Sequence, residues 1–105
     1  MITVGQEVNG HTFTLNEQEQ LEILLPSNPT TGYRWLEIQT GDLRLDHTGF
    51  VPGGRPGIYG SGGLQYWVFT AVHPGQNELL FRYQRPWDQT SVHDTYHLTV
   101  HVKKT

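Results

Sequence analysis

The sequence predicts an all-β fold, in the form of an antiparallel sandwich of about seven strands. Apolar residues recur with a period of two, and no stretch has the 3.6-residue period of a convincing helix. Turn-forming residues interrupt the apolar segments at short intervals. Sandwiches of immunoglobulin type combine about seven such strands. We therefore expect an immunoglobulin-like β-sandwich.

Each strand is predicted from apolar residues that mark its buried face. The markers in chain order are Phe13 and Leu15; Leu21, Ile23 and Leu25; Tyr33 and Trp35; Leu43, Leu45 and Val51; residues 66–72; Leu79, Phe81 and Tyr83; and Tyr96, Leu98, Val100 and Val102. Residues 66–72 are apolar on both faces, which indicates a central strand. The alternation slips over residues 36–38, which indicates a bulge or cover on both faces. Polar residues 16–20 are predicted to form a turn. Trp35 is predicted to be the aromatic centre of the core.

Length and composition exclude several classes of function. The chain has 105 residues, a net charge of −3 with neutral histidines, and no cysteine. One domain spanning residues 1–105 is expected. The absence of cysteine excludes disulfides, thiolate metal sites and a cysteine nucleophile. Lysine and arginine are scattered apart from Lys103 and Lys104, so we expect no nucleic-acid partner. Because the chain has no long apolar run, we also expect no membrane partner.

The amino terminus has no basic segment followed by an apolar one, so no signal peptide is visible. The chain is therefore expected to be cytoplasmic, or exported with its leader already removed.

Three turn-forming segments carry residues that a simple connector does not need. The first runs Asn28, Pro29, Thr30, Thr31, Gly32, Tyr33; the second is Gly60, Ser61, Gly62, Gly63; the third is Arg85, Pro86, Trp87. Pro29 fixes its own φ, and asparagine and threonine side chains bond nearby backbone, so the first segment is predicted to be a stiff wedge presenting two threonines. An ordinary turn between strands is the alternative.

The other two segments have comparable alternatives. The glycine run lies within residues 49–63, which hold seven of the chain's twelve glycines and are predicted to form a long mobile loop. The absence of side chains either lets another extended chain approach the backbone closely, or the run is simply a flexible connector. Trp87 is either exposed at a loop tip, where tryptophan is enriched in binding hot spots, or folded back over the end of the core.

Catalysis and metal binding have little support in the sequence. His93, His97 and His101 have the spacing of helical metal ligands, but on a strand the outer two would be about 27 Å apart at about 3.3 Å per residue. We therefore expect no metal, no cofactor and no catalytic residue, and Ser61 lacks the context of a hydrolase nucleophile. The residues leave open an immunoglobulin-like adhesion or carbohydrate-binding module, with Trp87 and Tyr59 stacking on sugar rings.

The three segments, in this order, resemble the loop signatures of the chagasin-type inhibitors of papain-like cysteine peptidases: Asn-Pro-Thr-Thr-Gly with a following aromatic residue, Gly-x-Gly-Gly, and Arg-Pro-Trp. The resemblance implies a monomeric, reversible, non-covalent inhibitor whose partner is a papain-like cysteine peptidase. It implies that Thr30 and Thr31 lie over the catalytic cysteine and that residues 60–63, with Leu64, line the non-primed side of the cleft. It also implies that Trp87 packs on the primed side, supported by Arg85.

Overall fold

The computed structural model describes residues 1–52 and 62–105, and the described residues form eight strands. The strands are β1 (Ile2–Val4), β2 (Thr12–Asn16), β3 (Gln20–Ser27), β4 (Arg34–Gln39), β5 (Arg44–Pro52), β6 (Gly63–Thr70), β7 (Gly75–Gln84) and β8 (Asp94–Lys103). Two short 3₁₀ segments, Gln6–Val8 and Pro29–Thr31, lie between them. No helix among these residues has the length and apolar character needed to span a membrane.

The strands form two four-stranded sheets, which confirms the predicted sandwich. The first sheet has the order β1-β3-β6-β5 and the second β2-β8-β7-β4. Two details of the prediction are wrong. The described residues contain eight strands rather than seven, and each sheet is mixed, because the edge strands β1 and β2 pair in parallel with β3 and β8. The remaining pairings are antiparallel.

The core lies between the inner faces of the two sheets. The predicted markers of β3 and β8 lie in it, whereas the predicted buried-face markers Leu45 and Val51 of β5 are exposed. The largest fully buried members of the core are Leu15, Leu21, Ile23, Leu25, Trp67, Phe69, Leu79, Phe81, Tyr96, Leu98, Val100 and Val102. Trp67 packs on Phe81 with ring centroids 4.8 Å apart. Trp35 is 3% exposed and contacts Tyr96. The aromatic centre therefore contains two tryptophans rather than Trp35 alone.

The irregular strands are β4 and β5. The register of β4 against β7 shifts between Glu37 and Gln39, close to the predicted slip. The predicted loop over residues 49–63 is wrong at its start, because β5 continues to Pro52, and residues 53–61 lie outside the described residues. Gly49 belongs to that strand and lies under Tyr66, whose hydroxyl would be 2.8 Å from a β-carbon at this position. Packing rather than a turn thus accounts for this glycine.

Candidate functional site

The three predicted segments are connected to strand ends at one end of the sandwich. In the first sheet, Ser27 at the end of β3 pairs with Gly63 at the start of β6. In the second sheet, Arg34 at the start of β4 pairs with Gln84 at the end of β7. Hydrogen bonds also join the two sheets here, including one from Trp35 Nε1 to the Pro26 carbonyl at 2.8 Å. The fold therefore places on a single edge the strand ends from which the three segments continue, with the second segment described only from Gly62.

Residues 28–33, the wedge loop, are held by hydrogen bonds that converge on Asn28. Its side-chain Oδ1 accepts from the Thr30 amide at 3.2 Å and the Thr30 hydroxyl at 2.7 Å. Its carbonyl accepts from the Thr31 amide at 3.2 Å and the Thr31 hydroxyl at 2.8 Å. Both threonines are exposed. The wedge loop is thus a compact turn stiffened by its own side chains.

The wedge loop contacts the tryptophan loop, residues 85–93. Gly32 has a φ of +79°, which glycine adopts without strain. A β-carbon at Gly32 would be 3.0 Å from the Trp87 ring and 3.9 Å from Arg85 Nε, so both side chains approach the Gly32 backbone. Trp87 is nevertheless 74% exposed. The alternative that Trp87 closes the end of the core is therefore wrong.

The tryptophan loop contains a second turn with the same construction as the wedge. Asp88 Oδ1 accepts from the Thr90 amide at 3.0 Å and the Thr90 hydroxyl at 2.6 Å, while the Asp88 carbonyl accepts from the Ser91 hydroxyl at 2.6 Å. The same Ser91 hydroxyl oxygen accepts from the Arg85 amide at 2.9 Å. The bonds from Thr90 hold the pKa of the Asp88 carboxyl below its usual value. Sequence reasoning missed this turn, although both loops share an Asx-x-Thr-Thr/Ser pattern.

Aromatic rings form a stack beneath the two loops. The Arg85 guanidinium lies 4.8 Å from the centroid of Tyr33, and Tyr33 stacks on Tyr83 at 5.6 Å. Tyr83 in turn contacts Trp35 at 5.1 Å and His93 at 6.4 Å. Arg85 therefore contributes to the edge by covering the aromatic stack, and Tyr83 is a site residue that its strand position alone did not reveal.

The glycine segment, residues 60–64, is described only from Gly62 onward. Gly60, Ser61 and the proposed sugar platform Tyr59 lie outside the described residues. Gly62 lies against β3, since a β-carbon there would be 2.8 Å from the Ser27 carbonyl oxygen. Leu64 is 38% exposed and pairs across the strands with Val51, which is 53% exposed. The apolar neighbour Val51 was not among the predicted site residues.

The described residues contain no cluster of three or more histidine, cysteine or acidic side chains that fits a metal ion. His97 Nε2 lies 2.7 Å from Glu78 Oε2, and His101 is exposed on the same strand. Two cavities open near the site, one beneath the wedge loop beside Trp35 and Tyr83, and one between Arg34 and Phe50. Ser27, His93 and Asp94 line the first cavity, but no side-chain hydrogen bond among the described contacts joins any two of them.

The fold and this edge define a β-sandwich protein that presents stiff loops for contact with a partner. Residues 14–102 match the sequence profile described as Chagasin family peptidase inhibitor I42. The chain is 34% identical over 102 residues to chagasin of Trypanosoma cruzi, covering 90% of each chain. It is 30% identical over 102 residues to amoebiasin-1 of Entamoeba histolytica, covering 97% of this chain and 100% of the relative.

A solved structure shows the same fold. The crystal structure of the cysteine protease inhibitor EhICP2 from Entamoeba histolytica matches with a TM-score of 0.83 at 15% identity, over 97% of this chain and 94% of that one. The chain belongs to the chagasin family of peptidase inhibitors. It is an inhibitor of cysteine peptidases and not an enzyme, and the adhesion or carbohydrate-binding alternative has no support.

Proposed function

We propose that the chain inhibits papain-like cysteine peptidases reversibly and non-covalently, by laying the wedge loop, the glycine segment and the tryptophan loop across the active-site cleft. The observation that carries this proposal is the contact of the two described loops. A self-bonded turn with two exposed threonines lies directly beside a tryptophan that is 74% exposed. Exposed tryptophan on a rigid support is typical of binding hot spots.

Each part of the edge has a proposed role. Thr30 and Thr31 lie over the catalytic cysteine, and Asn28, Pro29, Gly32 and Tyr33 shape the wedge beneath them. Gly60, Ser61, Gly62 and Gly63 offer backbone groups to the non-primed side, where Leu64 adds an apolar contact. Trp87 packs on the primed side, and Arg85 and Pro86 direct it there.

The geometry explains how such a loop blocks a peptidase without being cut. A peptidase cleft binds an extended chain and needs a scissile carbonyl aligned with its thiolate. Residues 29–31 form a 3₁₀ turn, and its hydrogen bonds hold the Asn28 carbonyl against Thr31. That carbonyl is thus directed inward rather than toward an attacking sulfur. Because the loops are already ordered, association also loses less conformational entropy.

Titration of active papain with the protein, read with a fluorogenic peptide substrate, tests the proposal. We expect complete inhibition with an affinity near the nanomolar range, about −12 kcal/mol. Activity should return on dilution, and mass spectrometry should recover an uncut inhibitor. Trypsin, a serine peptidase, serves as the control and should stay active. Undiminished papain activity at micromolar inhibitor would overturn the assignment to papain-like enzymes.

A further inference from the structure

Tyr83 contacts both the wedge loop and the tryptophan loop. Its hydroxyl oxygen accepts a hydrogen bond from the Asn28 amide at 3.0 Å, across 55 residues of chain. Its backbone carbonyl accepts from the amide of His93 at 2.8 Å. One residue near the end of β7 therefore holds the first residue of the wedge loop and the last residue of the tryptophan loop.

The hydrogen bond to the Asn28 amide affects the orientation of the whole turn and not only of Asn28. Asn28 accepts the hydrogen bonds that the amides and hydroxyls of Thr30 and Thr31 donate across the turn. A rotation of its peptide would therefore carry both threonines with it. Fixing the Asn28 amide fixes the direction in which the two exposed hydroxyl-bearing side chains emerge from the sandwich.

The ring of Tyr83 is itself held in place, so its hydroxyl is a defined anchor. It stacks on Tyr33 with an interplanar angle of 26° and packs against Trp35 at 5.1 Å. Trp35 is locked in turn by its own hydrogen bond to Pro26. Phenylalanine would supply the same ring packing. The hydroxyl is the one part of Tyr83 that this packing does not require.

We propose that Tyr83 is a positioning residue for inhibition: through its hydroxyl it orients the wedge loop relative to the tryptophan loop, while acting on the peptidase only through Asn28. The inference rests on the proposed function of these loops. It differs from a role in the core, because it assigns the effect to one hydroxyl rather than to buried aromatic area.

The first test compares Tyr83→Phe with the wild-type protein in papain inhibition. Leaving a half-buried amide without its acceptor should let the wedge reorient, and the inhibition constant should rise about 5- to 30-fold. Tyr66→Phe is the matched control, since Tyr66 is also half-buried but lies on the outer face of the first sheet. It should inhibit like the wild type. Equal inhibition by Tyr83→Phe and the wild type would overturn the proposal.

A double-mutant cycle separates orientation of the wedge from general loss of stability. Thr31→Ala removes a side chain whose contribution depends on where the wedge points. If Tyr83 positions the wedge, the loss caused by Thr31→Ala should be smaller in the Tyr83→Phe background than in the wild type. Simple addition of the two losses would show that Tyr83 acts independently of the wedge and would contradict the proposal.

Hydrogen exchange of the free protein measures the anchor without any peptidase. Tyr83→Phe should speed exchange at Asn28, Thr30 and Thr31 at least fivefold and leave the β8 amides unchanged. Unchanged wedge exchange, or equal acceleration in β8, would overturn the proposal. Because this readout needs no inhibition, a failure of the wild type to inhibit papain would count against the proposed function alone.

Discussion

Trp87 lies against its neighbours in the wedge loop while remaining outside the core. Its ring edge approaches the Gly32 backbone, yet 74% of its surface meets solvent. Arg85, two residues earlier, is engaged by Tyr33 at 4.8 Å. The ring is therefore oriented by its neighbours without contributing much burial. Under the proposed function, the exposed surface of Trp87 stabilises the complex with the peptidase rather than the folded state.

We expect Trp87→Ala to weaken papain binding by about 1–3 kcal/mol, because truncating an exposed aromatic anchor removes contact area at the interface. The melting temperature should hardly change, since surface substitutions usually cost less than about 0.5 kcal/mol. Inhibition kinetics and thermal unfolding measure the two effects. Ile38→Ala is the control, being 45% exposed on β4 outside the three loops. A large drop in melting temperature would instead show that Trp87 supports the core.

At the scale of the strands, the edge of β4 is closed by a side chain rather than by another strand. The Trp35 amide donates to Gln65 Oε1 at 2.7 Å, and Gln65 Nε2 donates to the Trp35 carbonyl at 3.2 Å. Gln65 lies on β6 of the opposite sheet and is 9% exposed. Its amide satisfies two backbone groups that an edge strand otherwise leaves open to pairing with another chain.

Replacing Gln65 by leucine should lower the free energy of unfolding by about 2–4 kcal/mol. The change introduces an apolar side chain of similar size and leaves a buried backbone amide and a buried backbone carbonyl without partners, at about 1–3 kcal/mol each. Urea unfolding at pH 7 measures it. Gln76→Leu is the matched control, because Gln76 is exposed and bonds only Glu78 among the described contacts. Equal stability of the two variants would show that water replaces the Gln65 amide.

The strands that sequence predicts best are those with sustained alternation. The predicted markers of β3, β7 and β8 lie on the buried face of the sandwich. Strand β1 was missed, because Ile2–Val4 is too short to show a period and its pairing with Leu21–Ile23 is a distant contact. The parallel direction of that pair likewise depends on the path of the whole chain. The local sequence pattern therefore predicts neither the presence of β1 nor its parallel pairing.

For the site, local chemistry predicts the loops but not what joins them. The stiff turn at Asn28 follows from residues within three positions of it, and the structure confirms such a turn. The bond from Asn28 to Tyr83 spans 55 residues and depends on β3 and β7 meeting across two sheets. Tyr83 was identified from alternation only as a strand residue. The contact of its hydroxyl with Asn28 is produced by the fold, so the residues next to Tyr83 in the sequence do not predict it.

At the scale of the whole molecule, three carboxylates among the described residues have pKa values that are lowered by hydrogen bonds. The main cause is the hydroxyl of Thr70 for Asp46, the side chain of Gln76 for Glu78 and the hydroxyl of Thr90 for Asp88. They lie on β5, on β7 and in the tryptophan loop. The ionised carboxylates therefore favour the folded state across both sheets and in the tryptophan loop.

The free energy of unfolding should be level from pH 7 to about 5 and fall below about pH 4.5. A carboxyl with a lowered pKa in the folded state stabilises above its ordinary value, 3.8 for Asp46 and 4.5 for Glu78, and that stability is lost as pH falls through the lowered pKa. Urea unfolding across this range measures the effect, and the fall should shrink in Asp46→Asn. Because hydrogen bonds are the main cause, the fall should persist at high salt. A fall abolished by salt would instead identify charge pairs as its origin.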